Sequence, residues 1–279
     1  MIGRHARDGV EGMLLARVLD PTEPTPSIAE PILAVTVQGA KRIALGDRIF
    51  EYGARDYLVV AVDLPITGQY VEASPDEPYL GFGLALRSAP IAALLLEAAE
   101  EVVGDTPAGI SISPTPPEML DAILRLLRLV DRPKDLAILG PLIERELLWL
   151  ALTGPQGNAV RQIGLADSSL SAIGRAIHHL RTNASESVQV EELAQLATMS
   201  VSSFHRHFRT VTAMSPIQYQ KRLRLQEARL MLLSNSSDIA GVGYAVGYGS
   251  ASQFSREYRR EFGVPPSVDA ERLREPTSA

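Results

Sequence analysis

The feature that most limits what this 279-residue chain can fold into is a phrase it states twice. Ser200-Val-Ser-Ser-Phe-His-Arg-His-Phe-Arg209 returns as Ser250-Ala-Ser-Gln-Phe-Ser-Arg-Glu-Tyr-Arg259, at an offset of 50 residues. Each copy closes alike, on Ala213-Met-Ser-Pro216 and on Gly263-Val-Pro-Pro266. Turn and proline keep register with the segment before them, so the repeated object is a whole supersecondary unit.

In the first copy, Leu193, Ala194, Leu196 and Ala197 recur at helical spacing, and Met199-Ser200 interrupts the pattern before a second short helix. Ser200 or Ser202 caps that helix by accepting from the free amides of its first turn. Phe204 and Phe208, four apart, share the buried face, which leaves Ser202, His205, Arg206 and Arg209 outside. The second copy sets Phe254 and Tyr258 inward and Ser252, Ser255, Arg256 and Arg259 outward. Two short helices about a tight turn, the second with an arginine-bearing outer face, form a helix-turn-helix, whose second helix enters the major groove. An arginine fork donates twice to a guanine edge, while serine and histidine make smaller contacts to bases or phosphates. Gly241 and Gly243 stand inside the first helix of the second copy, where each costs roughly 0.5–1 kcal/mol against alanine. Close packing of helix on helix is the expected reason. Between the copies, Pro216 opens a long helix through Leu233, with Ile217, Leu223, Leu225, Ala228 and Leu232 as its buried stripe and Lys221, Arg222, Arg224 and Arg229 on flanking faces. This helix is expected to hold the two units about one DNA turn apart.

Residues 172–266 resemble the DNA-binding domain of the AraC/XylS family of bacterial transcription regulators. The resemblance is carried by the Ser200–Phe208 phrase, Ser215-Pro-Ile-Gln-Tyr219 with Arg222-Leu and Ala228-Arg-Leu, and Val246-Gly-Tyr-Gly-Ser250 with Phe254-Ser-Arg256. Three positions depart from the family pattern: Ala213 in place of glycine, Val242-Gly243 in place of isoleucine-alanine, and Asp269 where a tyrosine commonly follows the last proline. The last implies a different C-terminal packing.

The formal charge of −6 looks wrong for a nucleic-acid binder until it is divided. Residues 1–171 hold 14 Lys and Arg against 23 Asp and Glu, a balance of −9, whereas residues 172–279 hold 13 against 10, a balance of +3. A modest positive excess concentrated on one face is enough to engage phosphates. With 46% apolar content the chain is globular, and its length suits two domains, placed at 1–160 and 161–279. The absence of cysteine excludes disulfides, thiolate zinc sites and cysteine nucleophiles, including a cysteine-based acceptor of DNA alkyl groups. No stretch reaches the roughly 18 apolar residues of a membrane span, so a cytoplasmic protein with no membrane partner is expected.

The front half has another texture. Ile32–Val37, Arg42–Leu45, Ile49–Tyr52, Tyr57–Val62, Gln69–Glu72 and Tyr79–Leu86 read as short strands, punctuated by turns at Gly39, Gly46-Asp47, Gly53, Pro65–Gly68 and Ser74–Asp76. Such even spacing implies a small antiparallel roll or barrel. Before it, Met13–Leu19 reads as a helix or edge strand, and Pro21, Pro24 and Pro26 as a loop. Gly39, Gly46-Asp47 and Tyr57–Pro65 resemble the cupin-like N-terminal domain of one AraC-type subfamily, which implies a sensor holding a small effector. A metal-dependent cupin enzyme would need several histidines there, yet all five lie at 5, 178, 179, 205 and 207. No catalytic residue, metal or cofactor is therefore expected. Val35, Val37, Ile43, Tyr70 and Phe82 are the candidate lining residues for an effector, with ordinary core packing as the competing role for each. His178-His179 point about 100° apart on a helix and cannot chelate one ion together.

Residues 89–153 read as three helices: Pro90–Val103 stopped by Gly104, Glu118–Val130, and Leu136–Leu152. Leu120, Ile123, Leu124, Leu127 and Val130 form one stripe, with Leu126 and Leu129 beside it, which exceeds the single face a helix on a barrel must bury. A homodimer through this region is expected, and Trp149 is expected in the core. The whole reads as an α+β protein: a β-roll or cupin-like barrel with flanking helices, then an all-α domain with two helix-turn-helix motifs joined by a long helix. A sequence-specific regulator of transcription accounts for the repeat, the charge division and the barrel together. Its expected partners are double-stranded promoter or operator DNA, a small-molecule effector and a second copy of itself, and the resemblance admits RNA polymerase as a further one. A cupin-type enzyme accounts for the barrel alone, and a DNA-binding architectural protein for the second half alone.

Overall fold

The computed structural model describes residues 12–98, 105–233 and 238–274. His5, the end of the first expected helix at Val103 and its stop at Gly104 lie outside them. In the described residues the front half is built from two antiparallel sheets. One has the order β1 (Met13–Val18), β8 (Tyr79–Ala85), β3 (Ile32–Gln38), β6 (Asp56–Val60), β9 (Ile110–Pro114); the other runs β2 (Thr25–Ala29), β7 (Leu64–Glu72), β4 (Ala40–Leu45), β5 (Arg48–Gly53). The Gly46-Asp47 turn joins β4 to β5 with Leu45 opposite Arg48 and Gly46 at φ +64°, the glycine-first geometry that suits a two-residue hairpin. Alternation then decides the faces. In the second sheet Ile43, Leu45, Tyr52 and Ile66 are buried, while Arg42 and Glu51 pair on the outside at 2.8 Å. In the first sheet both faces of β6 are covered, so Tyr57, Leu58, Val59 and Val60 are all buried.

Several boundaries differ from the sequence expectation. Met13–Val18 takes the edge-strand alternative of its two expected forms, while the proline-rich stretch after it, expected as a loop, supplies β2, also an edge, where Pro26 removes no central ladder bond. Pro65–Gly68 is not a turn but part of β7. Pro65 sits where β7 extends past β4 and pairs only with Ile28, so its missing N–H is tolerated. Strand β9 was not expected, although Ile110-Ser-Ile-Ser shows a short period-two alternation.

Helices α1 (Ser88–Ala98), α2 (Pro117–Arg128), α3 (Pro133–Thr153) and α4 (Gly157–Gly164) follow, then α5 (Ser169–Thr182), α6 (Val190–Leu196), α7 (Val201–Thr212), α8 (Pro216–Leu233), α9 (Ile239–Ala245), α10 (Ala251–Phe262) and α11 (Pro266–Arg274). In α2 the buried stripe is Met119, Ala122, Ile123 and Leu126, and Leu124 faces solvent. Trp149 on α3 is 40% exposed rather than core. Leu196 and Ile217 are also exposed, and Tyr219 takes the buried place expected for Ile217.

Two separate hydrophobic cores result. One runs from Met13 through the sheets and α1–α7 to Leu223 near the start of α8. The other, from Leu225 to Ala270, is closed by Val242, Val246, Tyr248, Phe254 and Tyr258. The first repeat unit thus shares its core with the β domain, and the second has its own.

Candidate functional site

The two repeated units are built alike down to single hydrogen bonds. Ser200 caps α7 by accepting from Ser203 N–H at 3.3 Å, and Ser250 caps α10 by accepting from Gln253 N–H at 3.3 Å. Each helix ends on a left-handed residue, Ala213 at φ +59° and Gly263 at φ +78°, whose N–H returns to the carbonyl of Arg209 or Arg259 at 2.9 Å. Phe204 and Phe208, and Phe254 and Tyr258, are fully buried with rings 5.4 and 5.5 Å apart. Anchored so, α7 turns Ser202, His205, Arg206 and Arg209 to solvent, and α10 turns out Ser252, Arg256 and Arg259 with Ser255 half-buried. Each set lines one exposed helix face.

Gly243 explains itself through contact. A Cβ there would stand 2.9 Å from Phe254 ring atoms, so α9 lies on α10 with no room for a side chain. Gly241 donates its N–H at 2.8 Å to Asp238, which caps α9. The basic residues of α8, expected on flanking faces, brace the fold. Arg224 donates to the carbonyls of Ala184, Glu186 and Gly247 at 2.6, 2.8 and 3.0 Å, and so ties the loop before α6 to the turn of the second unit. Lys221 and Arg222 pair with Glu257 and Glu261 of α10 at 3.1 and 3.3 Å. Arg229 and the Tyr258 hydroxyl both bond the buried Asp269, at 2.9 and 2.7 Å. The acidic partners of Lys221, Arg222 and Arg229 lie 36–40 residues away, beyond any local pattern.

The first unit also touches the β domain. Gly109 N–H donates to the carbonyl of Val211 at 2.9 Å, and the Tyr219 hydroxyl donates to the carbonyl of Asp63 at 2.7 Å. Arg181 pairs with the Asp63 carboxylate. His207, on the side of α7 away from Arg209, bonds Thr106 through Nδ1 at 2.6 Å, and burial with the nearby Arg206 charge lowers its pKa. Of the adjacent pair, His178 is exposed, while His179 meets the Asn183 side chain at 3.4 Å. Among the described residues no three His, Asp or Glu side chains gather as metal ligands.

The five candidate lining residues do not share one site. Val37 and Phe82 line a cleft of about 730 Å³ with Leu15, Arg17, Leu19 and Leu127, between the outer face of the first sheet and α2. Val35 lies on that same face but is packed in the core. Ile43 and Tyr70 instead face the space between the sheets. There the register sets Lys41 opposite both Tyr52 and Tyr70. Its Nζ stands 5.0 Å from the Tyr70 ring centroid. The Tyr70 ring meets the Tyr79 ring at 4.6 Å, which bridges one sheet to the other, and the Tyr79 and Thr36 hydroxyls lie 3.2 Å apart within the first sheet. Burial lowers the Lys41 pKa and raises that of Tyr79 to about 12. Burial, with Tyr79 and Tyr70 beside it, also raises Tyr52. Lys41 was missed from sequence, yet its signal is there: it shares the phase of buried Ile43 and Leu45, where an apolar residue is due.

The descriptions that match agree with this layout. Residues 9–159 match the AraC-type transcriptional regulator N-terminus, and residues 193–272 a helix-turn-helix domain. The chain is 30% identical over 105 residues to the HTH-type transcriptional activator RhaS of Yersinia pestis, covering 38% of either protein. It is 29% identical over 149 residues to the HTH-type transcriptional regulator ArgR of Pseudomonas aeruginosa, covering 53% of this chain and 45% of that one. The match thus spans less than half the length of these curated relatives. Among solved structures, unsaturated fatty acid-bound ToxT from Vibrio cholerae superposes over 98% of this chain and 99% of its own with a TM-score of 0.57 at 11% identity, a likeness of fold.

Proposed function

Because the chain belongs to the AraC-type transcriptional regulators, whose N-terminal description covers more than half of it, we propose that it binds duplex operator DNA sequence-specifically and answers to a small effector held by its β domain. The observation that carries this is the twice-built unit: two helices with the same serine cap, the same aromatic anchors and the same left-handed end, each presenting two arginines to solvent. Arg206 and Arg256 are the base readers, with Ser202, His205, Arg209, Ser252, Ser255 and Arg259 as their base- or phosphate-contacting neighbours. Braced on Glu257, Glu261 and Asp269, the cations of α8 hold the second unit on the helix, leaving the phosphates to Arg209, Arg259 and Arg260. The effector domain is residues 1–160 and the DNA-binding domain 161–279, and two copies pair through α3. The likeness to fatty acid-bound ToxT supports a ligand-holding front half of the cupin-like kind. No helix among the described residues is long and apolar enough to cross a membrane, in keeping with a cytoplasmic regulator.

The test is fluorescence anisotropy on an operator fragment selected from random duplexes. Arg206→Ala is expected to cost about 1–3 kcal/mol of specific binding and to relax one base position, with non-specific affinity nearly unchanged. Equal affinity of the wild-type protein for every duplex would overturn the reading.

A further inference from the structure

Lys41 is out of place for a structural lysine. Strand β4 sends Ile43 and Leu45 into the space between the sheets, and period two sends Lys41 the same way. Surface lysines on this strand's outer face would meet carboxylates, as Arg42 meets Glu51. Lys41 meets aromatic rings. Tyr52 and Tyr70 flank it by register, Tyr70 meets the ring of Tyr79 on the opposite sheet, and Tyr79 meets the Thr36 hydroxyl within that sheet. Among the described residues no carboxylate or carbonyl bonds its ammonium, whose one recorded partner is the Tyr70 ring. The residue nevertheless keeps partial solvent access. Beside it stands Gly68, where a Cβ would meet the Lys41 Cε at an ordinary contact distance of 3.5 Å.

A cation held among protein atoms without a counter-charge is unfavourable unless something supplies the charge. We propose that Lys41 and the tyrosines around it form the head-group site for a small carboxylate-bearing effector, with the anion on the Lys41 ammonium and the tyrosine hydroxyls donating to its oxygens. The proposal rests on the reading that the β domain takes an effector, and it names the ligand class. Charge-assisted bonds in a partly desolvated site select an acid over its neutral amide. The lowered pKa of the free lysine fits a site whose counter-ion arrives with the ligand.

The experiment pairs thermal shift and titration calorimetry on the full chain with four probes: benzoate and octanoate, and the neutral benzamide and octanamide. Wild-type protein is expected to bind an acid on the order of tenfold or more tightly than its amide. Lys41→Met is expected to abolish that preference while melting no lower than wild type, because it removes a poorly solvated charge. Lys41→Arg is expected to retain it. A Lys41→Met protein that melts lower and keeps its preference for the acids would make Lys41 a packing residue and overturn the proposal. Binding of the amides as tightly as the acids would also overturn it, while leaving an effector site in the β domain. If none of the four binds, Lys41 loses its assignment, and the effector reading is judged separately by whether any ligand selected by thermal shift alters operator affinity.

Discussion

Ala213 and Gly263 occupy the same place in the two repeats, and both hold a left-handed backbone at the C-terminal end of a repeat helix, α7 or α10. For glycine that conformation is nearly free; for alanine it costs about 1 kcal/mol. Ala213→Gly is therefore expected to stabilise the protein by roughly 0.5–1 kcal/mol, the strain relieved being partly offset by the looser unfolded chain. Gly243 gives the opposite sign. An added methyl at 2.9 Å from the Phe254 ring must push α9 off α10, so Gly243→Ala is expected to cost about 1–3 kcal/mol despite alanine's better helix propensity. Chemical denaturation of both variants checks the pair. A destabilised Ala213→Gly protein would mean that the alanine methyl packs better than its backbone strains. The first substitution was visible as a departure at a glycine position, and the second as a glycine inside a helix. What the chain did not disclose was the ring that forbids a side chain there.

Helix α3 buries one face within the molecule and leaves an apolar stripe on the other. Leu136, Gly140, Ile143, Leu147 and Ala151 are buried, whereas Ile138, Leu142 and Trp149 lie outside at i, i+4 and i+11 along one stripe. The polar neighbours on that side are neutralised within the molecule, Glu146 by Arg125 and Arg145 by Glu97. An apolar stripe bordered by internally paired charges suits a second copy of the same helix. Leu142→Glu is expected to convert a dimer to a monomer in sedimentation at micromolar concentration, with secondary structure unchanged; an unaltered mass would remove α3 from the interface. The surplus of apolar residues was legible as leucines beyond one stripe, though on α2 the stripe itself was misjudged: Leu124 is outside and Met119 inside. Short strands with alternating residues were legible too. The failures fall where proline argued locally against a strand that the sheet tolerates at its margin, as in β2 and at Pro65. On α8 the cations were legible only as flanking, because Glu257, Glu261 and Asp269 are brought to them by tertiary packing alone.

At the scale of the molecule, the boundary of function and the boundary of packing do not coincide. The proposed function divides sensor from DNA binder near residue 160, but the large core continues through α5, α6 and α7 and ends at Leu223, and the smaller core begins at Leu225. Helix α7 is therefore fastened to the β domain by shared apolar burial and by the bonds of Val211, His207 and Tyr219, whereas α10 hangs on α8 through its own small core and the ties of Arg224, Lys221, Arg222 and Arg229. Opening free energy follows the burial a unit can call on, so α9–α11 are expected to open independently of the rest. Hydrogen exchange read by mass spectrometry is expected to show lower protection in α9–α11 than in α7 and β6. A ligand bound between the sheets adds its binding free energy only to openings that destroy its site. It is accordingly expected to slow exchange in β4, β7 and α7 and to leave α9–α11 unchanged, making the first reader the one that feels the effector. Equal slowing in both units would show that α8 transmits the constraint across the gap between Leu223 and Leu225, so that the two readers respond as one body.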